Sequence, residues 1–170
     1  RLCTLFSGMP ALMSLLVQNE QHFHDTLNWL KGRQEWGVKV FCNDMELRSI
    51  LESSDHDVLA LNTQATMGSA GQVYVLRKQR ERRLAELVST RMDEVANDVL
   101  DALVSLAVED RLRPVLSEAV TGRSETMLLN AALLIDIAVC SELYVIVDEL
   151  GSRFSTEGFT IELTGPWPPY

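Results

Sequence analysis

The chain has 170 residues, 46% hydrophobic and 23% charged, with a formal net charge of −9. That balance suits one globular domain, or one domain and part of another, with enough chain to bury a core. It disfavours nucleic acid and anionic membrane as partners, since both repel an acidic surface, and no apolar run reaches the ~18–20 residues of a membrane span.

Leu2-Cys3-Thr4-Leu5-Phe6 reads as a strand, and Gly8-Met9-Pro10 separates it from a helix. Pro suits a first helical turn, where its missing N–H has no partner to lose. Leu12, Leu16, Phe23, Leu27 and Leu30 then follow helical spacing up to Gly32. Residues 1–16 lack the basic start and small-residue cleavage site of a signal peptide. With no initiator Met, the chain reads as a piece of a longer protein. Residues 1–32 are expected to belong to, or link from, an N-terminal domain, and residues 33–170 to form an α+β domain.

Residues 36–42 alternate as a strand, with Val38, Val40 and Cys42 on one face and Lys39 and Phe41 on the other. Asn43 or Asp44 can cap a short helix over 45–52. Residues 53–71 are polar, with Ser53-Ser54-Asp55 and Gly68-Ser69-Ala70-Gly71, and are expected to form a long mobile loop. From Gln72 to about Leu106 the apolar residues Leu84, Leu87, Val88, Val95, Val99, Leu103 and Leu106 recur at threes and fours. This is one helix of roughly 50 Å at 1.5 Å per residue.

Arg111 to Leu116 is expected as an edge strand, because Pro114 cannot donate to a central ladder. A turn region follows around Gly122. Met127 to Ala138 is nearly all apolar, as a strand buried on both faces would be. A helix carries Leu143, Ile146, Val147, Leu150 and Phe154, and a last strand alternates Phe159, Ile161 and Leu163 with Thr160, Glu162 and Thr164. From residue 36 the order is β-α-β-β-α-β with a short inserted helix. That order predicts a ferredoxin-like α+β fold with helices on an antiparallel sheet.

The candidate sites are few. Cys3, Cys42 and Cys140 are scattered among apolar neighbours, so they form neither a disulfide framework nor a metal knuckle, and a reducing cytoplasm suits them. His22 and His24 stand two apart on a helix and cannot converge on one ion. Asp136, inside the apolar strand, is the one buried-carboxylate candidate, yet no base or nucleophile accompanies it. Arg77-Lys78-Gln79-Arg80-Glu81-Arg82-Arg83 reads either as a solvated face paired as Arg77–Glu81 and Arg82–Glu86, or as a surface docking on an acidic partner. Without interleaved aromatics it does not suit nucleic acid.

Two strings stand out. Glu35-Trp36-Gly37-Val38-Lys39-Val40 reads as a strand whose Gly marks a bulge or close approach. Thr164-Gly165-Pro166-Trp167-Pro168-Pro169 ends a strand in a proline clamp, which reads either as a terminator with Trp167 over the core or as a polyproline ligand. Together they resemble the gas vesicle protein F/L family. Leu30-Lys31-Gly32-Arg33 stands where that family has its Leu-x-Gly-Arg helix end, and Arg1 to Phe6 looks like the strand closing its N-terminal half. Residues 53–71 and 116–126 carry little of the resemblance. It implies a non-enzymatic accessory protein for gas vesicle assembly, cytoplasmic and at the vesicle, without metal or cofactor. Its implied partners are the small hydrophobic shell protein and other accessory proteins. The two strings are expected at opposite borders of one sheet. Trp36, Trp167 and Pro168 are the expected anchors, provided the tryptophans are exposed, and Arg77, Lys78, Arg80, Arg82 and Arg83 the expected docking surface. A ferredoxin-like small-ligand regulatory module is the alternative, and a hydrolase or transferase using Asp136 a third.

Overall fold

The computed structural model describes residues 4–67 and 69–169. In chain order it has α1 (Met9–Gln18), α2 (Glu20–Leu30), β1 (Arg33–Cys42), α3 (Asp44–Ser54), α4 (His56–Met67) and α5 (Ala70–Val104). There follow β2 (Ala107–Leu112), α6 (Glu118–Thr121), β3 (Thr126–Asp136), α7 (Cys140–Ser155) and β4 (Phe159–Trp167). The four strands form one sheet in the order β2-β3-β1-β4, and every neighbouring pair is antiparallel. This is the ferredoxin-like α+β arrangement that the pattern predicts, with one long helix.

Side-chain parity explains the layering. Trp36, Val38, Val40 and Cys42 of β1 share a face with Leu129, Ala131, Leu133 and Ile135 of β3 and with Phe159 of β4. Val95, Val99 and Leu103 of α5 and Leu143, Leu150 and Phe154 of α7 close over that face. Each fully buried Leu or Val removes apolar surface from water and stabilises the fold by about 1.5–3 kcal/mol. The other face is covered in places only. Phe41 and Met127 lie there, with the Arg123 guanidinium 4.2 Å from the Phe41 ring centre and the Leu116 N–H 3.3 Å from Met127 Sδ.

Several sequence expectations shift. Residues 53–71 are not a long loop. Asp55 Oδ1 accepts the Val58 N–H at 3.0 Å, starting α4, and Val58 is fully buried. The Ser-Ser-Asp run is therefore a helix junction with an N-cap. β2 begins at Ala107 and ends at Leu112, four residues earlier than expected, because α5 stops at Val104. Pro114 thus lies past the strand, although the Arg113 N–H still reaches the Asn130 carbonyl at 2.7 Å. β3 ends at Asp136 rather than Ala138, and a short 3-10 turn over Ile137–Val139 leads into α7. The first helix is broken at Asn19, whose side chain donates to the Leu15 carbonyl at 2.9 Å and ends α1. Of the expected opening strand, residues 1–3 lie outside the described residues, and Thr4 to Phe6 are in no strand. Neither α1 nor α2 carries a buried residue.

Candidate functional site

The two unusual strings meet. They lie on adjacent antiparallel strands, β1 inside the sheet and β4 at its edge, not at opposite borders. Glu35 pairs with Trp167, Gly37 with Thr164 and Val38 with Leu163, and the register slips between Glu35 and Gly37. The glycines are required by this contact. A Cβ on Gly37 would lie 2.6 Å from Thr164 Oγ1, and that hydroxyl donates to the Gly37 carbonyl at 3.3 Å. Gly165 has φ +133°, a conformation L side chains rarely adopt, and a Cβ there would lie 3.0 Å from the Glu35 carbonyl oxygen and 3.1 Å from the Trp36 ring. Each string therefore leaves room for the other.

The tryptophans differ. Trp36 is 3% exposed and Trp167 is 53% exposed. The exposure that a partner anchor needs is met at Trp167, and Pro168 beside it is also exposed. Trp36 instead lies in the core, its ring edge-on to Tyr144 at 5.4 Å and 82°. It cannot offer a surface anchor, because it shares the strand face of Val38 and Val40. Beside this junction a cleft of about 530 Å³ runs between α7 and β4, floored by Trp36, Val147, Ile161 and Leu163. The sequence reading missed it. Gly151, standing inside a helix where Gly is otherwise costly, was the legible sign.

The basic run divides in two. Arg80 pairs with Glu52, and Arg83 lies 3.9 Å from Asp55 and 3.5 Å from Asp57. These two arginines thus tie the inserted α3–α4 pair to α5 and are not a free docking surface. Lys78 pairs with Glu81 at 3.3 Å and Arg82 with Glu86 at 3.0 Å. Glu81 therefore pairs with Lys78 rather than with Arg77, and Arg77 is left exposed.

Asp136 does not sit buried among apolar groups. It is at the strand's end, its side chain 51% exposed and ion-paired to Arg33 at 3.0 Å. Arg91 holds Glu157 in a two-point contact, both N–H···O distances 2.7 Å. The hydrogen bonds from Arg91 hold the Glu157 carboxyl below the usual carboxylate range. Arg123 bonds Glu125 and reaches Glu162 of β4, and Glu125 is likewise lowered, chiefly by that hydrogen bond. Burial, reinforced by Asp44 and Glu46, pushes the Cys42 thiol up from 9.0 to about 12. A buried thiol so raised stays protonated at neutral pH and is a poor nucleophile. Among the described residues no three His, Cys, Asp or Glu side chains are grouped to hold a metal ion, and no helix is long and apolar enough to cross a membrane.

The family model for the gas vesicle synthesis protein GvpL/GvpF matches residues 1–170. Gas vesicle protein L2 of Halobacterium salinarum is 28% identical over 175 residues, covering 100% of this chain and 61% of that protein. Gas vesicle protein L of a Streptomyces species is 28% identical over 170 residues, covering 100% of this chain and 59% of that one. The chain thus spans about three-fifths of the length of the curated relatives it matches. The crystal structure of GvpF from Anabaena sp. PCC7120 superposes with a TM-score of 0.67 at 20% identity, covering 100% of this chain and 66% of that one. GvpF from Microcystis aeruginosa gives 0.63 at 18% identity, with the same coverage. These two likenesses show the fold.

Proposed function

Because the chain belongs to the gas vesicle synthesis protein GvpL/GvpF family, we propose that it acts in gas vesicle assembly as a non-enzymatic accessory protein. In this reading it binds the small hydrophobic shell protein and other accessory proteins, in the cytoplasm and at the growing vesicle. Residues 1–32 are taken as the link to the part of the longer relatives that this chain does not span. The observation that supports the reading is the β1–β4 junction. The two strings that carry the family resemblance fit each other there, beside an exposed Trp167 and an open apolar-floored cleft. An oily shell subunit aggregates unless its apolar surface is covered before assembly. An acidic carrier of net charge −9 keeps such a complex dispersed.

The ionisable groups support binding over catalysis. Asp136, Glu157 and Glu162 each face an arginine rather than a base or a nucleophile. The test is co-expression with a small gas vesicle shell protein, scored by the soluble fraction and by capture on the tagged chain. The chain is expected to keep the shell protein soluble and co-purify with it, and Trp167→Ala to reduce capture several-fold with an unchanged circular dichroism spectrum. No capture by the folded wild-type chain would overturn the reading, and undiminished capture by Trp167→Ala would remove Trp167 as an anchor.

A further inference from the structure

The cleft between α7 and β4 combines three features that the fold alone does not call for. The first is an open sheet edge. Among the described residues β4 has β1 on one side and no strand on the other, so alternate backbone N–H and C=O groups of residues 159–164 point outward unpaired by any of these strands. Gly165-Pro166 ends that edge, since proline has no N–H to offer. The opposite edge, β2, is instead lined by exposed Glu109, Asp110 and Arg111, charges that discourage strand addition.

The second feature is the recession of α7 along the cleft. Tyr144, Val147, Asp148, Gly151, Ser152 and Ser155 line it at helical spacing. The last three are small, and a Cβ on Gly151 would meet no atom within 4 Å. The space beside β4 is therefore open to side chains from an added strand.

The third feature is unmatched polarity. Trp36 lines this cleft and is 3% exposed, yet its indole Nε1 has no hydrogen-bond partner. An indole N–H buried without an acceptor is uncommon in a folded protein. Asp148 is the single charged side chain among the residues lining the cleft, and it forms no ion pair with the other described residues.

We propose that this cleft receives an extended segment of a partner protein, added antiparallel or parallel beside β4 as a fifth strand. Its backbone pairs with residues 159–164. An apolar side chain sits over Trp36, Ile161 and Leu163, and a lysine or arginine faces Asp148. A polar side chain of the segment reaching over β4 is the acceptor that Trp36 Nε1 lacks. Strand addition supplies affinity through the backbone and selectivity through alternate side chains. The charge of the occupant follows from Asp148 and from the acidic chain as a whole. This inference deepens the partner-binding reading and rests on it.

The test uses a nine-residue peptide, labelled with fluorescein at its N-terminus and amidated, that alternates valine with threonine and carries one central lysine. It is titrated against the whole chain by fluorescence anisotropy. Saturable binding is expected, weakened at least 10-fold by Gly151→Trp, which fills the cleft from an exposed helix face, and by Asp148→Lys, which inverts its charge. Exchanging the peptide's lysine for glutamate should weaken binding to the wild type and restore it toward Asp148→Lys. N-methylation of the alternate amides along one edge of the peptide should abolish binding, and methylation along the other edge should not. No binding by the folded wild type, binding to either variant as tight as to the wild type, or equal tolerance of both methylation sets would overturn the proposal. Peptide binding reads the cleft, and shell-protein capture reads the function. Capture without peptide binding therefore refutes the cleft alone, and peptide binding without capture refutes the function alone.

Discussion

Residues 9–30 and residues 33–167 treat their apolar side chains in opposite ways. In the sheet domain Val38, Val40, Val95, Val99 and Leu133 are fully buried. In α1 and α2, Met9, Met13, Leu16, Val17, Leu27 and Trp29 are each more than a third exposed, and neither helix buries any residue. The helical spacing of the two stretches is similar, so amphipathic pattern alone does not say whether a stripe is covered. What distinguishes them is a partner. The sheet's parity creates an apolar plane to which α5 and α7 fit, whereas α2 meets the domain mainly at its end, where Arg33 lies 4.8 Å from the Trp29 ring centre.

The largest expected effect tests that contrast directly. Leu103→Ala removes a side chain 1% exposed under the sheet and should cost about 2–5 kcal/mol, the range for a cavity in a close-packed core. Leu27→Ala, 68% exposed, should cost about 0.5 kcal/mol or less. Urea unfolding of both variants settles the comparison, and equal losses would show that α2 is covered in solution. A smaller effect comes from Cys42. Its thiol is raised from 9.0 to about 12 by burial, so the folded state disfavours the thiolate. Stability from this group is intact below pH 9 and is lost as pH rises from about 9 toward 12. Wild type should lose stability in that window relative to Cys42→Ala, and parallel curves would contradict the burial of β1's end.

The smallest effect concerns the clamp at the far end of α7. Glu157 is held below its ordinary value by Arg91, so its contribution is present above the unfolded carboxylate range and disappears as pH falls through the folded value. Glu157→Gln should cost about 1 kcal/mol at pH 7, as partly exposed pairs do, and the gap to wild type should close in acid. A gap independent of pH would assign the loss to packing rather than charge.

Much of this architecture was legible. Parity along 36–42 and 159–164, the apolar run from Met127 and the stripes Leu84–Leu103 and Leu143–Phe154, with an edge strand expected four residues late, together carried the β-α-β-β-α-β order. The burial of Trp36 was legible too, since a residue two before Val38 shares its face. α4 was not, because Ser53-Ser54-Asp55 serves equally as a loop or as a helix cap, and only the burial of Val58 against the rest decides between them. β2 was misplaced because Leu106 continues the stripe of α5 for one step after the helix has ended. The cleft left a single trace, Gly151 inside a helix, and was otherwise hidden for a different reason. It is a space, formed by what Gly151, Ser152 and Ser155 lack, and a linear pattern records side chains present rather than neighbours absent.

Hydrogen exchange on the purified co-expressed complex, set against the chain alone, tests the central claim most directly. Partner binding at the β4–α7 border predicts slowed exchange along 159–164 and in 144–155, with 77–83 unchanged. Protection confined to the basic stretch of α5, or none along β4, would contradict it.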